Sequence, residues 1–307
     1  MTNPLQASPN ARIGVDLGGT KIEAAVLDRA GAIVDRERVP TPHDYRATVD
    51  AITQLVLGLE AKVGVRGTVG VGIPGAVEPR TGLVKNANSV WLIGQPLRGD
   101  LEIALARPVR MENDANCFAL SEAADGAAAG ASNVFGVILG TGVGGGIVID
   151  GKVIEGVNLI AGEWGHNPLP WITLDEYPGP PCYCGKKGCI ETFLSGPGFE
   201  QDFAAATGRR LAARAIVDAA SAGEPAARDA LARYHDRLAR ALASVINLLD
   251  PEVVVLGGGM SNTPGLAPAV SERLPSYVFS GTVETRVVGN THGDSSGVRG
   301  AAWLWPL

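Results

Sequence analysis

Ile13, Val15 and Leu17 alternate with Arg12, Gly14 and Asp16, the period-two pattern of a strand with one face in a core. Residues 21–28 and 32–40 continue as strands, with turns at 18–19 and 29–31. Residues 44–63 change to helical spacing, with Val49, Ile52, Leu55, Val56 and Leu59 on one face. A buried strand over 68–75 runs into a turn, and 77–91 is polar and irregular, with Asn86 and Asn88 exposed. A short helix over 97–106, a strand over 109–113 and an alanine-rich helix over 115–129 complete the order βββαβαβα. The series then restarts. Strands are expected at 133–140, 145–151 and from 152, then helices at 197–206, 212–222 and 224–249. A nearly continuous apolar strand at 251–259 reads as buried on both faces. A helix at 266–274, a strand at 283–288 and a closing small-residue helix at 295–304 follow. DLGGTKIEAAVLD in the first half and GTGVGGGIVIDG in the second share a strand, glycine turn, strand order. This echo predicts duplicated domains facing each other across a cleft.

Composition narrows the class. The chain has 307 residues, 46% of them apolar, enough for a large core, and no apolar run long enough to span a membrane. Residues 1–11 lack a basic start and an apolar run, so they read as a disordered lead-in and not a signal peptide. A net charge of −6 without a Lys/Arg block argues against nucleic acid or an anionic membrane as partner. The expectation is a soluble cytoplasmic α/β protein.

Three sets of residues carry candidate chemistry. Cys182, Cys184 and Cys189, spaced C-x-C-x4-C with Gly185 and Gly188 between, can point three thiolates at one centre, and His166 can add a nitrogen. A Cys3His set suits tetrahedral zinc in a structural role. The other reading is a disulfide plus an unrelated histidine, but a reducing compartment favours metal. Glu163 and Glu191 flank these ligands and could grip a polyhydroxy substrate.

The second set is the glycine loops. Gly140, Thr141, Gly142, Gly144 and Gly145 match G-x-G-x-x-G, yet a strand and not a helix follows. That context argues against a dinucleotide site and for a hairpin whose N–H groups hold an anion. Asp16, Gly18, Gly19, Thr20 and Lys21 occupy the same strand–turn–strand context, and Asp16 could hold magnesium. With Gly257, Gly258 and Gly259 after a buried strand, these loops point to a nucleotide in the cleft. The third set is Glu112-Asn113-Asp114-Ala115-Asn116, where a strand ends and a helix begins. Asp and Asn there are ordinary N-caps; Asp114 is also placed to deprotonate a sugar hydroxyl, with Asn113 free to bind a neighbouring one. Cys117 reads as a small core residue.

Taken together, DLGGTK, GIPG, ENDAN, GTGVGGG, GEWGH, CYCGKKGCIE and LGGGMSN resemble the ROK family of bacterial sugar kinases and repressors, over essentially the whole chain after residue 11. NANSVWLIGQPL and HGDSSGVRGAAWLW are most similar to its fructokinase (mannokinase) branch; the N-acetylglucosamine kinase branch shares most other motifs. The resemblance implies an α/β actin-like ATPase (ribonuclease H-like) fold of two lobes. These would span 12–129, completed by about 292–307, and 130–291, which carries the zinc loop. It implies ATP with Mg2+, structural Zn2+ on His166, Cys182, Cys184 and Cys189, and Asp114 as general base. Sugar binding would fall to Asn113, Glu163, His166 and Glu191, helped by Gly75 and Asn88, with one His166 nitrogen on zinc and the other toward the sugar. Lobe closure hinges are expected near 129–133 and before the final helix. A homodimer is implied by resemblance alone. Family repressors carry a DNA-binding domain before the first strand, and the eleven residues here leave no room for one. The expected activity is phosphorylation of a hexose, fructose to fructose 6-phosphate first, with N-acetylglucosamine, glucose or mannose as alternatives. A non-catalytic sugar- and ATP-binding regulator is the rival from another class.

Overall fold

The computed structural model describes residues 6–306, with residues 6–10 described by backbone only. The chain begins with β1 (Gln6–Leu17), β2 (Lys21–Leu27) and β3 (Ile33–Pro40), followed by helix α1 (Tyr45–Val63) and strand β4 (Val65–Ile73). Two-residue strands β5 (Ala76–Val77) and β6 (Val84–Lys85) punctuate the polar stretch before α2 (Leu97–Leu105), β7 (Val109–Asn113) and α3 (Asp114–Asp125). The second series opens with β8 (Asn133–Leu139), β9 (Val143–Ile149) and β10 (Lys152–Val153). Four helices follow: α4 (Glu191–Leu194), α5 (Gly196–Thr207), α6 (Ala213–Ser221) and α7 (Pro225–Leu249). Then come β11 (Val253–Gly257), α8 (Leu266–Ser271), β12 (Arg286–Gly289) and α9 (Ser296–Trp303).

The strands form two five-stranded sheets with corresponding orders, β3-β2-β1-β4-β7 and β10-β9-β8-β11-β12. In each, the first three strands are an antiparallel meander, and two parallel strands join beside the first. This is the duplicated actin-like architecture that the resemblance implied. Where the first copy has α1 alone between its third and fourth strands, the second has the cysteine loop and α4–α7. The expected lead-in is corrected in part. Gln6 and Ala7 pair with Val65 and Arg66, and a register shift separates them from Arg12, so the chain is already a strand there. Residues 1–5 lie outside the described residues.

Each sheet buries its outer face against helices of its own copy: α1 and α2 on the first, α5–α8 on the second. Between the sheets the helices are exchanged. α3 ends the first copy but packs on β8 and β9; α9 ends the second but packs on β1 and β4. Glycines permit backbone-to-backbone contact throughout this layer. A Cβ on Gly14 of β1 would lie 1.8 Å from the Val298 carbonyl oxygen, and one on Gly70 of β4 1.8 Å from that of Ala301. A Cβ on Gly300 would lie 1.7 Å from the Cys117 carbonyl oxygen, where α9 meets α3. On the other side, Gly136 and Gly146 leave room for Ala119 and Ala115 of α3. Because α3 rests on the second sheet, the chain leaves the first sheet at Asn113–Asp114.

Gly70→Ala forces a methyl into a backbone carbonyl, so it should cost about 3 kcal/mol or more. Gly58→Ala, in the exposed middle of α1 with open space around it, should instead stabilise by up to about 1 kcal/mol. Urea denaturation of the two variants beside wild type checks both signs.

Candidate active site

Asp114 is the first residue of α3, where β7 leaves the first sheet and the helix crosses to the second. Asn113 is the N-cap: its Oδ1 accepts the Ala115 N–H at 2.9 Å and its Nδ2 donates to the Gly75 carbonyl at 2.9 Å. Gly75 has φ +79°, and a Cβ there would sit 2.4 Å from the Lys85 carbonyl oxygen, so the turn demands glycine. Asn113 is thus held on both sides, and its neighbour's carboxylate is fixed. Asp114 Oδ1 accepts the Ala115 N–H at 2.8 Å, and the rest of the carboxylate faces the open cleft. Crowding by protein strips its hydration and lifts its pKa to about 6 against the pull of that N–H; the charge of Glu163 adds to the rise. Cys117 lies one turn on, buried, its thiol raised by desolvation, as expected for a core residue.

Asp16, half-buried at the end of β1, stands beside Gly297 in the first turn of α9. Burial raises its pKa to about 7, with the charges of Asp114 and Glu23 contributing. The Asp114 charge disfavours ionisation of Asp16, as a like charge nearby does. The turn after Asp16 closes with Gly18 N–H on the Lys21 carbonyl at 3.0 Å, and Gly19 and Thr20 are exposed.

The cysteine segment brings the four expected metal ligands together. The ligand atoms of His166, Cys182, Cys184 and Cys189 all lie within 4.8 Å of one another. Cys184 Sγ and Cys189 Sγ are 3.6 Å apart, and His166 Nδ1 is 3.6 Å from Cys182 Sγ. All four cysteines are free. A sulfur separation of 3.6 Å is far too long for a disulfide. It matches the edge of about 3.8 Å that a tetrahedron with zinc–sulfur bonds of about 2.3 Å requires. The residues fit zinc. His166 turns its other nitrogen, Nε2, to the Tyr183 hydroxyl at 3.0 Å, so Tyr183 stands where a sugar contact was expected. Tyr183 was not among the sequence candidates, its only signal being its place between two cysteines.

Glu163 is exposed to the cleft, and burial of its surroundings raises its pKa, partly offset by His166 and reinforced by Glu191. Glu191 is more committed: its Oε2 accepts the Val143 N–H at 2.9 Å. One carboxylate therefore joins the cysteine segment to the 140–143 hairpin. Asn88 lies exposed on the loop after β6.

The hairpin glycines divide by role. Gly140, Thr141 and Gly259 line a cavity of about 490 Å³ with Gly196, Met260 and Thr263. The last three were not among the sequence candidates; Ser195, which caps α5 by accepting the Gly198 N–H at 3.1 Å, was the available hint for Gly196. Gly142 gives way to Glu191, Gly144 to Ala115, and Gly145 to Gly162 and Trp164. Gly257 abuts Phe118, and Gly258 turns at φ +82° against Leu139. Those five serve close packing. A larger cavity, about 840 Å³, lies behind Glu112 and Asn113 against Leu120 and Trp303, away from Asp114.

The ROK family model matches residues 12–307. The chain belongs to the ROK family. N-acetyl-D-glucosamine kinases of Shigella boydii and Escherichia coli are each 43% identical over 296 residues, covering 95% of this chain and 98% of theirs. Among solved structures, the ROK hexokinase of Thermus thermophilus superposes with a TM-score of 0.85 at 35% identity, covering 95% of this chain and 97% of that one. A ROK glucokinase of Streptomyces griseus, solved with glucose and AMPPNP, gives 0.77 at 32%, covering 96% and 98%.

In this ROK chain the long excursion between His166 and Cys182 is anchored by buried charges. Glu176 accepts from Arg237 Nε at 2.8 Å and from Arg240 Nη2 at 2.7 Å, and Arg240 Nη1 also holds the Trp171 carbonyl at 2.8 Å. Burial alone would raise the Glu176 pKa, but the hydrogen bonds from Arg240 and Arg237 hold it at about 2. Its stabilisation is therefore full above the ordinary carboxylate range and is lost as pH falls from there toward 2. Glu176→Ala removes the carboxylate that two buried guanidiniums share, leaving Arg237 with Asp202 and Arg240 with Asp236, and should cost about 1–3 kcal/mol at pH 7. The gap from wild type should narrow as pH falls below 4, which urea midpoints against pH will show.

Proposed function

We propose that the protein is an ATP-dependent sugar kinase in which Asp114 is the general base. The observation that carries this reading is the placement of Asp114. A carboxylate with pKa near 6 is held by the Ala115 N–H at the start of α3, and its charge is felt by Asp16 of the first copy as that of Glu163 of the second bears on it. The sugar hydroxyl gives its proton to Asp114, its oxygen bonds to the γ-phosphorus, and the bridging bond to ADP breaks. A base near the working pH both stays ionised and accepts a proton readily. Asn113, Glu163 and Glu191 would orient the sugar, with His166 behind them between the metal site and Tyr183, Gly75 fixing Asn113 and Asn88 at the rim. Gly140, Thr141 and Gly259 would seat the nucleotide, with Gly18, Gly19, Thr20 and Lys21 facing its phosphates. Asp16 would hold Mg2+, whose chemistry is neutralisation of phosphate charge. Zinc on His166, Cys182, Cys184 and Cys189 would brace the sugar wall and take no part in transfer.

N-acetylglucosamine is the first substrate to test, supported by the 43% identity to kinases of that name across nearly the whole chain. Fructose is the second reading, favoured by NANSVWLIGQPL and HGDSSGVRGAAWLW.

A coupled ADP-release assay over N-acetylglucosamine, fructose, glucose and mannose should find one preferred acceptor; no turnover of any sugar would sink the proposal. Asp114→Asn should lower kcat at least about 1,000-fold while sugar affinity is kept, because only the proton acceptor is removed. In wild type, kcat/KM should fall tenfold per unit as pH drops below about 6, where Asp114 takes up a proton. Elemental analysis should give about one zinc per chain, with Cys184→Ser losing zinc and sugar affinity together.

A further inference from the structure

We infer that the Tyr183 hydroxyl is itself a sugar-binding group, which takes a hydrogen bond from His166 Nε2 and donates its own proton to a substrate hydroxyl. The inference rests on the sugar-kinase reading and deepens it by naming a residue that sets sugar affinity.

The geometry gives the hydroxyl a direction. His166 Nδ1 faces Cys182 Sγ within the metal cage, so Nε2 carries the ring proton and is the donor. The Tyr183 oxygen, 3.0 Å away, is then the acceptor, and its own proton is left to give. His166 is the only hydrogen-bond partner of that hydroxyl among the described residues. The ring meets the imidazole edge-on, with centroids 5.1 Å apart and planes at 89°. Otherwise it is 84% exposed, which is unusual for an aromatic ring with no partner on its faces. The backbone beneath it is pinned. Cys182 and Cys184 both belong to the cage, and the turn closes through Cys182 N–H on Lys186 and Gly185 N–H on Cys182. A rigid base with an exposed ring and a singly bonded hydroxyl is a preorganised donor.

The hydroxyl also faces the wall proposed to hold the sugar. A phenol has an ordinary pKa of about 10, so the hydroxyl is a neutral donor at working pH. Carboxylates that only accept and a hydroxyl that donates, side by side, suit a polyol whose hydroxyls do both.

Tyr183→Phe keeps the ring and its edge contact with His166 and removes only the donor. Metal content, sugar dissociation constant by calorimetry, and kcat and KM for sugar and for ATP would be measured on variant and wild type. The sugar dissociation constant and sugar KM should rise about 3- to 10-fold, the loss of one neutral hydrogen bond. Turnover should stay within twofold, and ATP KM and zinc per chain should not change. Unchanged or tighter sugar binding in the variant overturns the inference while leaving the kinase reading intact. Loss of zinc with kcat and KM moving together would make Tyr183 a structural prop and also overturn it. If wild type neither binds nor phosphorylates any sugar, the kinase reading fails and this inference falls with it.

Discussion

Backbone contact between α3 and α9 is the constraint from which the site follows. Each helix ends one copy of the duplicated unit yet lies on the other copy's sheet, and Gly300 lets α9 approach the Cys117 carbonyl directly. No side chain intervenes, so there is little freedom for the pair to slide. The start of α3 therefore holds a fixed place between the sheets, and Asp114 occupies it. The start of α9 is fixed in the same way, and Gly297 there brings the helix up to Asp16. Both carboxylates that would act on the phosphoryl group are thus located by glycine contacts in a layer remote from substrate. The C-terminal half of α3 adds a polar lock: Glu122 accepts from Thr291 N–H at 3.0 Å and from Ser296 Oγ at 2.8 Å.

The second copy carries the proposed sugar wall and the proposed nucleotide cavity, and hydrogen bonds join the two. The metal cage fixes His166 and the turn bearing Tyr183. Glu191, two residues after Cys189, grips the Val143 N–H of the hairpin that borders the nucleotide cavity. Trp164, two residues before His166, donates to the Gly144 carbonyl at 3.0 Å. Zinc bound here would therefore order a wall that is hydrogen-bonded to the phosphate hairpin, which is why metal loss should reach sugar affinity. Glu176 and its two arginines tie the rest of the excursion to α7, so the loop does not depend on metal alone.

The sequence carried much of this and missed particular parts for physical reasons. The two meanders and the buried β11 were legible because period-two alternation and continuous apolar runs report burial directly. The metal set was legible because ligand chemistry restricts residue type. Strand β1 was begun too late, since QASPNA has no apolar alternation to announce the pairing of Gln6 and Ala7. The destination of α3 was hidden because small residues such as Ala115 and Ala119 suit either sheet, and only the opposing glycines settle which. At Gly144, Gly145 and Gly257 a motif alone does not tell close packing from close ligand approach, because both ask for the same missing Cβ. Met260 lies inside LGGGMSN, where only the glycines drew notice, Thr263 carries no motif, and Tyr183 none beyond its position, because a lining residue is defined by what folds around it.

The central claim is transfer of phosphate from ATP to a sugar with Asp114 as the proton acceptor. Phosphorus NMR of wild type and Asp114→Asn, incubated with ATP and the preferred sugar, tests it most directly. The account predicts a sugar-phosphate resonance growing in step with ADP in wild type and none on the same timescale in the variant, which still binds sugar. Equal product from both proteins, or ADP and inorganic phosphate without a sugar ester, would contradict it.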